Sequence, residues 1–521
     1  MFLKCAEQIT SSMKDKVYIM DTTLRDGEQT SGVSFSDAEK LNIAKILLEE
    51  VKVDYLEIAS ARVSDGEMLG AKKVMEWANG TPYHDKIEIL GFVDGTTSLD
   101  WIAKAGGKVI NLLGKGSLRH VTQQLKKSPE QHLADLKKSI ALAQQMGITV
   151  NLYLEDWSNG MRNSPEYVHF MLEGLKDEPI KRLMLPDTLG ILNPTETFEF
   201  CSTMLRDFPS LHFDFHAHND YDLAVANVDA ALRAGIRTIH TTINGLGERA
   251  GNAPLSSVVA FMNDHLKLPN SINEHKLNMV SRLVETFSGI HISGNKPIIG
   301  ENVFTQCSGI HADGDNKDNL YYNDLLPERF GRTRKYALGK TSGKANIAKN
   351  LEEMGIRLDP ENLKRVTDKV IELADKKETV TSEDLPYILS DVLKSESIFE
   401  KITLKNYAIS HALGLRPMAT VCIELNGELF EEAGSGDGQY DAFMNALQKI
   451  YHKLHKQLPS LVNYTVTIPP GGKTDALVET LITWELGREF KTRGLDPDQT
   501  AAAIKATIKM LNIIESDGQI Y

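Results

Sequence analysis

"LHFDFHAHNDYD", residues 211–222, alternates apolar and polar residues and sets His216 and His218 two apart. In a strand, positions i and i+2 share a face, so the two imidazoles leave the same side. That spacing suits a metal ion. The competing reading is a pair of hydrogen-bonded histidines at a strand end. The surroundings of the strand decide between them.

Seven further apolar runs flank it: "VYIMDTT", "YLEIAS", "IEILGFVD", "VINLLGK", "VNLYLED" and "RLMLPDT" before, "IHTTING" after. Eight strand patterns at a mean spacing of roughly thirty residues, with helical stretches between, predict a parallel (β/α)8 barrel of the TIM type. It occupies residues 1–285. One helix start is explicit: Ser36-Asp37-Ala38-Glu39 reads as a capping box, with Leu41, Ala44 and Leu48 following on one face. No GxGxxG follows the first strand, which favours the barrel over an open doubly wound sheet.

In such barrels chemistry gathers at the C-terminal ends of the strands. Asp26 follows strand one, Glu155 ends strand five, Thr188 follows strand six, His216 and His218 end strand seven, and Asn252 follows strand eight in "GLGERAGN". All converge on one mouth. Asp26 then becomes the natural third ligand beside the two imidazoles, instead of a surface partner of Arg25. Two nitrogens and a carboxylate leave open positions on a divalent cation, suited to a bidentate 2-oxo acid. Arg25 would stabilise the alkoxide that forms when the ketone is attacked.

After residue 285 the rhythm stops. Residues 286–398 read as linker subdomains, irregular at first and then helical and highly charged, and 399–521 as a compact α+β module. Within the module, "ATVCIELNGELFEEA" is a hairpin signal built on Asn426-Gly427, and "GSGDGQYDAFMNALQKIYHKL" opens a helix. The glycines of "GSGDGQ" lack a following Lys-Ser/Thr, so a nucleotide loop is not expected. No sequence repeat is visible.

The totals exclude several classes. A net charge of −13 over 521 residues argues against nucleic-acid and anionic-membrane partners. Four scattered cysteines without a CxxC pair, no secretory signal and no membrane-spanning apolar run suggest a cytoplasmic protein with reduced thiols.

"DTTLRDGEQ", "FHAHND", "INGLGERAGN" and "GIHADG", in this order, resemble the 2-isopropylmalate, homocitrate and citramalate synthase family over nearly the whole chain. "EIASARVSDGE", "YLEDWSNG", "LPERFGR" and "IPPGGKTDALVET" are most similar to its citramalate-forming branch, which carries an isoleucine-sensing domain. The resemblance implies condensation of acetyl-CoA with pyruvate and hydrolysis of the thioester. It implies one divalent metal ion (zinc, manganese or magnesium) on Asp26, His216 and His218, with Asn252 as a further contact. Arg25 would lie beside the substrate ketone and Thr188 at its carboxylate. Glu155 with His311 would take the methyl proton of acetyl-CoA, assisted by Asp313 and Tyr321, with Tyr322 adjacent. Leu90, Leu113 and Tyr153 would line the 2-oxo-acid side-chain pocket. The "GIHADG" segment would enter a neighbouring subunit's barrel, implying an intertwined homodimer. Tyr440, Asp441, Asn463, Tyr464, Pro497 and Gln499 would form an effector site for isoleucine or leucine.

Overall fold

The structure, a computed structural model, describes residues 16–315, 320, 323–353, 356–375, 380, 384–385, 388–389, 392, 401–412, 414–467 and 478–516. The chain divides into two compact units. One holds the residues up to Phe304 together with Asn323–Thr333; the other holds Thr305–Tyr322 and Arg334 onward.

The first unit is the expected barrel. Strands β1 (Tyr18–Asp21), β2 (Tyr55–Ser60), β3 (Ile87–Phe92), β4 (Val109–Lys115), β5 (Thr149–Glu155), β6 (Ile180–Asp187), β7 (Phe213–Ala217) and β8 (Thr238–Thr241) close in sequential order. β1 pairs with β8 in parallel, Tyr18 opposite Thr238. Ile19, Ile58, Ile89, Leu152 and Phe215 face outward into the apolar layer shared with the helices.

The capping box forms as read. Ser36 Oγ accepts from Glu39 N, the Glu39 carboxylate accepts from Ser36 N, and the helix Asp37–Lys45 follows. Ser36→Ala should therefore cost about 1 kcal/mol of stability, measurable by urea denaturation.

In the second unit, Lys344–Glu353 and Pro360–Asp375 are helices sharing a small core of Ile347, Leu351, Val366 and Val370. Two three-stranded antiparallel sheets follow. The first contains β9 (Ile402–Ser410), β10 (Met418–Leu425) and β11 (Glu428–Ser435); the second β12 (Ser460–Thr467), β13 (Val478–Leu486) and β14 (Arg488–Asp496). Helix Gln439–Lys453 packs on β10 and β11, and helix Gln499–Ser516 on β13 and β14. The module is thus two β-β-β-α halves, although no repeat is visible in its residues. Asn426 and Gly427 both have positive φ (53° and 85°) in a two-residue turn, the geometry a type I′ hairpin needs.

Among the described residues, no helix is long and apolar enough to cross a membrane. Cys201, Cys307 and Cys422 are unpaired thiols.

Candidate functional site

Asp26 is positioned by a tight turn. The N–H groups of Arg25, Asp26 and Gly27 all donate to Thr22 O, at 3.1, 2.8 and 3.1 Å. This swings Asp26 over the barrel mouth. On β7, period-two geometry puts Asp214 and His216 on the inner face, with His218 just past the strand end. The loop after β8 folds back onto this end: Ala253 N donates to Ala217 O at 3.1 Å and Asn219 N to Gly251 O at 2.9 Å. Gly251 permits the fold-back. Its φ is +84°, and a Cβ there would lie 1.9 Å from Gly245 O.

The result is one buried cluster. His216 Nε2 lies 3.1 Å and His218 Nε2 3.8 Å from Asp26 Oδ2, and the two Nε2 atoms are 3.3 Å apart. Asn252 Nδ2 donates to Asp26 Oδ2 at 3.0 Å, while its Oδ1 is buried without a partner. Burial alone would raise Asp26, but the Arg25 guanidinium and then His216 hold it well below the carboxylate range. Burial lowers His216 and pushes His218 down to about 4. Near neutral pH the cluster is therefore one carboxylate and two neutral imidazoles, the protonation states metal ligands require. Asp26 Oδ2 and the two Nε2 atoms converge on one point. The donor set fits a divalent cation, and Asp26, His216 and His218 meet the geometry of a three-ligand site.

Arg25 borders this cluster. Its Nε donates to Glu57 Oε2 at 2.5 Å, Nη1 lies 3.3 Å from Asp26 Oδ1, and Nη2 donates to Tyr153 Oη at 3.3 Å. A guanidinium has five N–H donors. Among the described residues, one on each terminal nitrogen is left over.

The register of β4 against β5 explains what lies beneath. Asn111 pairs with Asn151, Leu113 with Tyr153, and Lys115 with Glu155. These alternate positions rise from the interior to the mouth. Asn151 Nδ2 donates to Asn111 Oδ1 at 2.8 Å, and Asn111 Nδ2 to Glu57 Oε1 at 2.8 Å. Leu90 and Tyr153 pack with Met20 and Met184, and Leu113 lies against them. At the rim, Glu155 is ion-paired with Lys115. The Thr188 hydroxyl accepts from Asp156 N at 2.9 Å, keeping its own proton for another partner.

Deeper inside, Arg182 pairs with both Glu88 and Asp214, all three buried. His240 Nε2 lies 3.1 Å from Asp214 Oδ2, and its Nδ1 lies 3.2 Å from Tyr153 Oη. Burial, with Arg182 and Arg25 nearby, holds His240 well below the usual histidine value. It is therefore neutral.

The structure thus brings Arg25, Asp26, His216, His218, Asn252 and Tyr153 together, with Leu90 and Leu113 beside Tyr153. His311 and Asp313 lie exposed on helix Gly309–Asp315 of the second unit. Tyr321 and Tyr322 fall outside the described residues. In the C-terminal module, the Tyr440 and Tyr464 rings are 5.5 Å apart and Tyr440 Oη bonds Thr507 Oγ1 at 2.7 Å. Asp441 accepts from Asp437 N at 2.8 Å, and Asn463, Pro497 and Gln499 are exposed. Composition and motif spacing do not single out Glu57, Lys115, His240, or Arg182 with its partners Glu88 and Asp214. All six sit at inward positions of strands, and the strand parity of "YLEIAS" and "IHTTING" is the signal that points to Glu57 and His240.

The closed barrel with its buried Asp-His-His cluster belongs to a defined class: residues 16–284 match the HMGL-like family, just over half of the chain. Residues 298–378 match the homocitrate synthase post-HMGL domain-like family, and 379–515 the LeuA allosteric (dimerisation) domain. The chain belongs to the family of 2-isopropylmalate and (R)-citramalate synthases, as its motifs implied. It is 32% identical to the (R)-citramalate synthase of Methanocaldococcus jannaschii, covering 96% of this chain and 99% of that one. It is 33% identical to the 2-isopropylmalate synthase of the same organism, covering 96% and 95%. The 2-isopropylmalate synthase of Heliobacterium modesticaldum is also 33% identical, covering 97% and 98%.

Proposed function

We propose that the chain is an acyltransferase that condenses acetyl-CoA with pyruvate and hydrolyses the thioester, yielding (R)-citramalate and free CoA, under feedback control by isoleucine. A base removes a methyl proton from the acetyl group, and the resulting carbon attacks the pyruvate ketone. A carbon–carbon bond forms, the ketone oxygen takes a proton, and water then cleaves the thioester. One observation carries the reading: Arg25 borders the Asp26, His216 and His218 cluster and meets Tyr153, which packs with Leu90 and has Leu113 against it. A guanidinium there suits a developing oxyanion, and large side chains at Leu90, Leu113 and Tyr153 would favour a methyl group over an isopropyl.

Asp26, His216 and His218, with Asn252 adjoining, would hold the divalent ion, which when bound supplies Lewis-acid polarisation of the ketone. Thr188 would donate to the substrate carboxylate. Glu155, His311, Asp313 and Tyr321 would handle the methyl proton, the last three supplied by a second copy of the chain in a homodimer. Tyr440, Asp441, Asn463, Tyr464, Pro497 and Gln499 would receive the effector. Catalytic (1–285), linker (286–398) and sensing (399–521) parts would act together in the cytoplasm.

A second reading, 2-isopropylmalate synthase with leucine as effector, is supported by the near-equal identity to both kinds of relative. Steric exclusion distinguishes them. In a CoA-release assay, pyruvate should exceed 2-oxoisovalerate in kcat/KM by at least about 100-fold, and isoleucine should inhibit more strongly than leucine. Preference for 2-oxoisovalerate would establish the second reading instead.

A further inference from the structure

The interior polar chain runs in one direction. Asp214 Oδ2 is an acceptor, already taking a bond from Arg182. Both ring nitrogens of His240 have partners, this carboxylate on one side and a hydroxyl on the other. With Nε2 at 3.1 Å from that carboxylate, the proton belongs on Nε2, because a lone pair there would face negative charge. His240 Nδ1 is then an acceptor, and the nearest donor is the Tyr153 hydroxyl at 3.2 Å. Glu57 Oε2, the rival acceptor for that proton, is farther away at 3.5 Å. With its proton directed at His240, Tyr153 Oη turns its lone pairs outward, where Arg25 Nη2 donates at 3.3 Å.

We propose that His240 is a positioning residue: through the Tyr153 hydroxyl it fixes the terminal nitrogen of Arg25 that faces the 2-oxo acid. The inference rests on the functional reading above, in which Arg25 meets the ketone. Each link is sequence-distant. β8 carries His240, β5 carries Tyr153, and the turn after β1 carries Arg25. Barrel closure alone joins them. Packing adds to the constraint, since the Tyr153 and His240 rings meet edge to face with centroids 5.7 Å apart. The Arg25 guanidinium also stands 5.7 Å from the Tyr153 ring centre.

Two substitutions separate this role from a merely structural one. His240→Asn sets an amide oxygen near the Nδ1 position, so it can accept from Tyr153 but cannot reach Asp214. His240→Gln sets an amide nitrogen near Nε2, so it can serve Asp214 but leaves Tyr153 without its acceptor. The KM for the 2-oxo acid should be at least fivefold higher in H240Q than in H240N, whereas Tm should fall further in H240N. Combining either change with Tyr153→Phe should erase the difference in KM. Equal KM values, the reverse order, or a difference that survives Tyr153→Phe would overturn the proposal. A readout independent of turnover is the 15N chemical shift of His240 in the wild-type protein, assigned by its loss in either variant or by selective labelling. A protonated Nε2 with bare Nδ1 is expected, and the opposite tautomer overturns the proposal even if both variants fail to fold. Absence of CoA release with every 2-oxo acid tested would instead remove the functional reading, leaving the tautomer to decide the chain of bonds.

Discussion

His218→Ala should lower kcat/KM for the 2-oxo acid at least about a thousandfold and abolish stoichiometric binding of divalent metal. Polarisation by a bound ion is worth several kcal/mol of transition-state stabilisation, and each 1.36 kcal/mol is tenfold in rate. Two protein ligands would remain, Asp26 and His216, which is one fewer than catalytic sites of this donor type use. The change deletes a ring at the mouth without disturbing the apolar layer around β7, so the variant should fold. Metal analysis after gel filtration and a CoA-release assay measure both effects on one preparation. Wild-type turnover in the variant, or in metal-stripped wild type, would show that the cluster serves a structural purpose only.

Arg182→Met should cost about 3–5 kcal/mol of stability, the penalty for breaking a buried ion pair by removing one partner. Burial raises both Glu88 and Asp214 above the usual carboxylate range, and Arg182 is the strongest influence opposing it. Without the guanidinium each acid must stay charged in the barrel interior or take up a proton. Equilibrium urea denaturation, followed by the fluorescence of buried Trp157, gives the loss. Adding Glu88→Met should recover part of it, because replacing buried charges by apolar groups of similar size is often neutral or favourable. The Arg182→Met loss should also be smaller at low pH, where protonation relieves the stranded carboxylates. A loss below about 1 kcal/mol would mean that the charges were never in need of one another.

The barrel was legible because its eight strands are apolar, evenly spaced and bounded by polar residues, and all eight appear where "VYIMDTT" through "IHTTING" placed them. The cluster was legible for a related reason. His216 and His218 declare their shared face by spacing alone, and Asp26 follows from its place after the first strand. Partners were harder to see. Glu57 and Lys115 look like ordinary solvated charges until the register turns them inward, and a one-residue shift would reverse that assignment. In the C-terminal module β9 and β14 carry little strand signal. β9 exposes most of its residues, and "REFKTRGLD" interrupts its alternation with charge, so neither shows the half-buried pattern that marks a strand. Lys52, Lys126 and Lys267 close wide final turns in the left-handed conformation, where glycine is the usual signal.

The pairing of β1 with β8 has a consequence for how the barrel stays shut. That seam joins segments some 220 residues apart and, unlike its neighbours, has no covalent crossover to reinforce it. Asp26 hangs from one lip while His216, His218 and Asn252 hang from the other. An ion gripped by all of them would act as a clasp, tightening the cylinder by about 4 kcal/mol at a thousand times its dissociation constant. Chelation would then loosen the fold along this line before any other.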